Sequence, residues 1–186
     1  MPEHDDPRTD QQLVAAVNRG DEAAFAVLYR RHRDWVLRLA WRFGGSRDDA
    51  LDVMQETFAY LLGKFPGFEL RAKLTTFLYP AVKHIAIGRR AKAQRFASSE
   101  QSFDDLPALP DAGEAGASAR RQELAAVVSG LPGTQREVLL MRFVDGLALA
   151  QIAEALAIPL GTVKSRMHNA LRALRDDPRV REYFDQ

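Results

Sequence analysis

Between Thr162 and Leu174 the side chains that can do chemistry fall on one side of a helical wheel. Ser165, His168, Asn169 and Arg172 form that front, with Lys164 and Arg166 at its flanks, while Val163, Met167, Ala170, Leu171 and Leu174 make an apolar back. Lys and Arg hold phosphates or guanine edges, and Asn pairs two hydrogen bonds with adenine, so the chemistry on offer is recognition of a duplex. A solvated helical hairpin gives the same two-faced pattern. A second concentration lies upstream: Arg71 to Arg95 holds seven basic residues and no acid, and Phe96 to Ala119 holds five acids and no base. Bond-making chemistry has little to stand on. His4, His32, His84 and His168 show no metal-ligand spacing, there is no Gly-rich phosphate loop or nucleophile elbow, and the 186 residues contain no cysteine. No catalytic residue, metal or cofactor is expected, and the chain does not read as an enzyme.

The recognition stretch needs a scaffold, and the sequence supplies a helix-turn-helix from Leu147 to Leu174. Ile152, Ala153 and Leu156 form the inner stripe of its first helix, Ile158-Pro159-Leu160-Gly161 the turn, and Thr162 the expected cap of the second helix. Upstream, helical periodicity again dominates and no alternating strand pattern stands out. Asp10 is the expected N-cap of a short helix carrying Leu13, Val14 and Val17 and stopped by Gly20; Asp21 caps the next. That helix carries Phe25, Leu28, Trp35, Val36, Leu39 and Phe43 and ends at Gly44-Gly45. Ser46 with Asp49 resembles a capping box. The helix behind it is expected to bury Ala50, Val53, Met54, Thr57, Phe58, Leu61 and Leu62, leaving Asp52, Gln55 and Glu56 outward. After a loop with Pro66 and Gly67 comes the basic helix, about Leu74 to Arg95, interrupted by Pro80.

The average charge conceals this organisation. Residues 1–95 carry 16 basic and 12 acidic side chains, residues 96–130 carry 2 and 6, and residues 131–186 carry 8 and 7. Ser98, Ser99, Pro107, Pro110, Gly113 and Gly116 break the pattern from Phe96 to Ser118, which reads as a flexible acidic linker of 23 residues. Its ends would lie roughly 25–30 Å apart as a coil and about 75 Å apart at full stretch. The fold class is therefore all-α: two small helical domains, 1–95 and 119–186, joined by the linker 96–118. No apolar run reaches membrane-spanning length and MPEHDDPRTD is polar and acidic, so the reading is of a soluble cytoplasmic chain without membrane insertion.

At this level of detail a family emerges. Leu131-Pro132, Arg136 to Arg142, Gly146, Ile152-Ala153-Glu154 and Gly161-Thr162-Val163-Lys164-Ser165-Arg166 resemble the fourth domain of bacterial sigma factors. Gly20 to Phe25 with Leu28-Tyr29, Asp52 to Phe58, Phe77-Leu78-Tyr79 and Arg89-Arg90 resemble the second. With only these two domains, the chain resembles an extracytoplasmic-function (ECF) sigma factor of the sigma-70 family. The resemblance covers nearly everything outside the first ten residues, the linker and the last ten.

The resemblance implies an RNA polymerase sigma factor that binds core polymerase and directs promoter-specific initiation. Asp49, Asp52, Gln55 and Glu56 would dock on the clamp coiled coil of the largest catalytic-core subunit. Lys73, Phe77, Lys83, His84, Arg89 and Arg90 would face the minus-ten element, Phe77 supporting or stacking with a base and the cations holding phosphates. The loop from Lys64 to Lys73 would pocket an extruded base. Thr162, Lys164, Ser165, Arg166, His168, Asn169 and Arg172 would meet the minus-35 element. The two elements lie roughly 50 Å apart, a span the linker and both domains can cover. An anti-sigma factor is a further implied partner, its identity open. This sequence departs from the family at Phe77 (usually Trp), His84 (usually Asn), Gly88 (usually Asp), Asn169 (often Arg) and at Pro80. His84 has a second reading as a satisfied core histidine. The competing reading of the chain is an autonomous helix-turn-helix transcriptional regulator. That class usually brings a receiver of alternating strands and helices, and residues 1–95 show no such alternation.

Overall fold

The computed structural model describes residues 6–44, 46–97 and 115–180, all helix, turn or loop; among the described residues there is no strand. The chain divides into two compact units, one within residues 1–101 and one within 102–186. Most of the expected linker lies outside the described residues. Helix nevertheless enters both its ends, because the basic helix continues to Ala97 and the next begins at Ala115 rather than near Ala119.

The first unit contains α1 (Asp10–Val17), α2 (Glu22–Gly44), α3 (Arg47–Leu62) and α4 (Leu74–Ala97), with α2 packed against the other three. Thr9, not Asp10, caps α1. Its hydroxyl accepts from the Gln12 amide, and the Gln12 side chain accepts from the Thr9 amide in a complete capping box. Gly20, at φ +93°, makes the left-handed turn that a side chain would resist. Asp21 then accepts from the Ala24 amide at the start of α2, as expected. Asp10 is freed to bridge helices: Arg31 donates to one carboxylate oxygen at 2.7 Å and the buried His32 meets the other at 2.8 Å.

Ser46 caps α3 by accepting from the Asp49 amide, and its hydroxyl donates to the Asp49 carboxylate at 2.6 Å. The core fills at helical spacing with Leu13, Leu28, Val36, Leu39, Val53, Leu61, Leu74, Leu78 and Tyr79, all at most 1% exposed. Each such leucine contributes on the order of 2 kcal/mol. Leu62 departs from expectation: at the last turn of α3 it is 51% exposed, because Leu61 takes the inward position beside it. The chain runs helically through Pro80, whose ring nitrogen cannot bond the Thr76 carbonyl; Pro80 itself is exposed, which accommodates the ring.

The second unit contains α5 (Ala115–Ser129), α6 (Gly133–Phe143), α7 (Leu149–Ala155) and α8 (Leu160–Asp176). Val138, Met141, Leu147, Ile152, Val163 and Ala170 are buried to within 1% where α8 meets α6 and α7. Arg136 is buried too, donating to the Ser129 carbonyl at 2.7 Å and so tying α6 to the end of α5. Within the α7–α8 turn, the Ile158 amide donates to the Ala153 carbonyl and the Ala157 amide to that of Glu154, a Schellman closure. Pro159 then occupies the cap position of α8. Thr162 is thus not the cap; it lies in the first turn, its amide donating to the Pro159 carbonyl.

Candidate nucleic-acid and docking surfaces

Helix α8 separates its residues by chemistry. Val163, Met167, Ala170 and Leu174 are buried against the unit and Leu171 is half-buried. Lys164, Ser165, His168 and Arg172 are exposed, while Thr162, Arg166 and Asn169 sit half-buried along the margins. The Ser165 hydroxyl donates to the Gly161 carbonyl one turn back, which fixes its rotamer and leaves its oxygen lone pairs outward. The result is a helix whose exposed front carries two cations, a hydroxyl and an imidazole, with the Asn169 amide at its margin, the form a major-groove reader takes.

In the first unit the residues expected to dock on polymerase and those expected to hold DNA meet. Asp49, Asp52, Gln55 and Glu56 are all exposed on α3. Arg89, from α4, forks across Asp52 and Glu56 with one guanidinium nitrogen on each carboxylate. Hydrogen bonding to Glu56 raises the Arg89 pKa above its ordinary value, against the opposing effect of burial and with the charges of Glu56, Asp52 and Asp49 adding to the rise. Arg89 is therefore engaged within the unit, whereas the resemblance implies a phosphate contact for it. No spacing rule links positions 52, 56 and 89; only the packing of α3 on α4 brings them together.

The other α4 residues divide. Lys73 and His84 are exposed, which removes the core reading of His84; among the described residues the buried histidine is His32. Lys83 and Arg90 are half-buried. Phe77 is half-buried between two rings, its centroid 4.7 Å from that of Phe68 and 6.0 Å from that of Tyr60, the latter nearly parallel at 11°. Phe68 contacts Phe65, which meets Phe25 edge-on, so one tier of rings runs from α2 through the loop after α3 to α4. Within it Tyr60 is 44% exposed, with the Lys64 ammonium 4.4 Å from its ring centroid. Phe77 thus supports the tier, while the more exposed ring belongs to Tyr60, a residue sequence reasoning passed over.

The loop 63–73 is also held from α1. Asn18, which caps the C-terminus of α1, accepts from the Gly67 amide at 2.7 Å and the Phe68 amide at 3.2 Å and donates to the Phe68 carbonyl at 2.9 Å. Beside it opens a cleft of about 700 Å³ lined by Asn18, Arg19, Phe25, Leu62, Phe65 and Pro66 among others. Among the described residues no cluster of acidic, His or Cys side chains could hold a metal, and no helix is long and apolar enough to cross a membrane.

Comparison with known proteins places these surfaces in context. The family model for sigma-70 region 2 matches residues 28–106, and that for sigma-70 region 4 matches residues 121–174. The chain is 33% identical over 176 residues to the RNA polymerase sigma-H factor of Pseudomonas aeruginosa, covering 89% of this chain and 91% of that one. Against the ECF RNA polymerase sigma-E factor of Escherichia coli it is 30% identical over 177 residues, covering 89% and 92%. Against the ECF sigma factor SigW of Bacillus subtilis it is 29% identical over 176 residues, covering 89% and 94%. Two solved structures share the fold at a TM-score of 0.61. These are CnrH in complex with the cytosolic domain of CnrY, at 21% identity over 88% of this chain and 93% of that one, and the sigma factor RpoE of Bartonella quintana in complex with the anti-sigma factor NepR, at 19% over 82% and 94%. Two sigma domains in the family's order, matched across nearly the whole length, make this chain a member of the ECF sigma factors of the sigma-70 family.

Proposed function

We propose that this chain binds core RNA polymerase in the cytoplasm and directs it to promoters whose minus-35 element is read by α8 and whose minus-ten strand is held by α4 and the loop 63–73. The observation that carries the reading is the division of α8 into a buried apolar back and an exposed front of Lys164, Ser165, His168 and Arg172 within a closed helix-turn-helix. In this reading Asp49, Asp52, Gln55 and Glu56 dock on the polymerase clamp, and the acids do so as ion-pair partners. Lys73, Lys83, His84 and Arg90 line the path of the melted strand, whose phosphates and bases reward positive charge and ring surfaces. Arg89 contributes first by holding Asp52 and Glu56 in place. The polymerase makes the RNA; the sigma factor supplies binding energy for the correct DNA. An anti-sigma factor covering these surfaces is the regulatory partner that family membership suggests.

Titration of labelled chain with core polymerase free of other sigma factors tests the first half of this reading, and it should show tight one-to-one binding. Arg166→Ala and Arg172→Ala should then weaken promoter use with core affinity intact. Equal loss of both would give α8 a structural role, and no core binding by the folded chain would overturn the proposed docking on polymerase.

A further inference from the structure

The loop 63–73 contains no regular structure, and its backbone polar groups look for partners outside themselves. Three of them find the same one. Asn18 uses its carbonyl oxygen for the Gly67 and Phe68 amides and its amide nitrogen for the Phe68 carbonyl. The reverse orientation would set an amide against two amides and an oxygen against an oxygen, so the chemistry fixes the side chain as it stands. Gly67, at φ +102°, takes a left-handed conformation at the point where Asn18 grips it. Gln11, two turns earlier on the same face of α1, adds a longer hydrogen bond to the Leu70 carbonyl at 3.4 Å.

On the far side the same loop is held by rings, Phe65 against Phe25 and Phe68 against Phe77. Ring contacts tolerate sliding, since an edge or tilted pair has a broad minimum. Three hydrogen bonds converging on one half-buried amide do not. Asn18 and Phe65 also line a common cleft of about 700 Å³, so a change in the loop's path alters that cleft.

We propose that Asn18 is a positioning residue for base selection: it fixes the path of the loop 63–73 and thereby the shape offered to a nucleobase extruded from the minus-ten strand. The proposal rests on the reading of that loop as a base-capturing element. Asn18 need not touch DNA. Its effect is on discrimination between bases, because a loop free to adjust accepts several shapes, whereas a fixed one rejects those that do not fit.

The test uses the holoenzyme, assembled from the full chain and core polymerase, and single-stranded oligonucleotides spanning the minus-ten element with each position varied through the four bases. Wild type should show one position with marked base preference. Asn18→Ala should lower the preference ratio at that position about five- to tenfold, the consequence of about one effective hydrogen bond. Affinity for core polymerase and for minus-35 duplex should stay within about twofold, a change that is small on the energy scale of binding. Asn18→Asp keeps the acceptor for both amides and loses the donor, so its ratio should fall between the two; it serves equally if Asn18→Ala fails to fold. A general loss of stability would scale all four affinities together and leave the ratio unchanged, and that result overturns the proposal. A wild-type holoenzyme with no base preference at any position would remove the base-capturing loop itself, and the proposal with it.

Discussion

Ala157 closes α7 at φ +52°, in the left-handed region where an L side chain crowds the carbonyl that follows. Gly88 stands in the interior of α4, where a glycine loses backbone entropy and a Cβ would meet nothing within 4 Å. The two positions ask for opposite changes. Ala157→Gly should stabilise the second unit by about 0.5–1 kcal/mol, the relief at φ > 0 exceeding the entropy lost. Gly88→Ala should stabilise the first by up to about 1 kcal/mol. The chain separates the two effects for the observer, since its two tryptophans, Trp35 and Trp41, both lie in α2. Gly88→Ala should raise the denaturation midpoint followed by tryptophan fluorescence. Ala157→Gly should raise the helical signal's midpoint and leave fluorescence where it was. A fluorescence shift from Ala157→Gly would contradict the assignment of its effect to the second unit.

At the scale of elements, α1 is joined to α2 through charge. Arg8 holds the Asp6 carboxyl down to about 2, and the Ala24 amide with Arg8 lowers Asp21. Burial pushes the Asp10 carboxyl up, but hydrogen bonds from His32 and Arg31 outweigh it and leave the group below its ordinary value. Carboxyls depressed in the folded state stabilise it above their unfolded pKa of 3.8 and lose that contribution as pH falls through the folded value. The first unit should therefore weaken from about pH 4 toward pH 2, a window set by the unfolded and Asp6 values. Asp10→Asn should be less stable than wild type at pH 7, with the gap closing as pH falls below 3.8 toward the lowered folded value; urea titrations at pH 7, 4.5 and 3 measure it. A gap independent of pH would mean that Asp10 acts without its charge. The join also shows what the sequence discloses. Periodicity yields the helices, since Leu28, Val36 and Leu39 must share a face, and the apolar back of α8 is legible for the same reason. Local composition cannot reveal that Asp10 is taken by His32 and Arg31 while Thr9 does the capping, since both are good caps. Asn18 is missed similarly: nothing near it in the chain marks it, since its partners lie 49 and 50 residues away.

For the molecule as a whole, the ion pairs of Arg89 place two tasks on one pair of carboxylates. Asp52 and Glu56 neutralise Arg89 inside the first unit and, in the proposed function, face polymerase outside it. Reversing both to Lys removes the outward acids and also sets three cations together, so loss of core binding by Asp52→Lys/Glu56→Lys alone has two explanations. Adding Arg89→Glu separates them, because the new carboxylate restores attraction between α3 and α4 while the outward charge stays reversed. If the acids dock directly, the triple variant should regain the thermal stability lost by the double variant and still bind core polymerase at least about tenfold more weakly than wild type, or about 1.4 kcal/mol. Duplex binding through α8 should be untouched in both, since α8 belongs to the other unit. Recovery of core affinity along with stability would show instead that polymerase reads the packing of α3 on α4, with Asp52 and Glu56 serving that packing through Arg89.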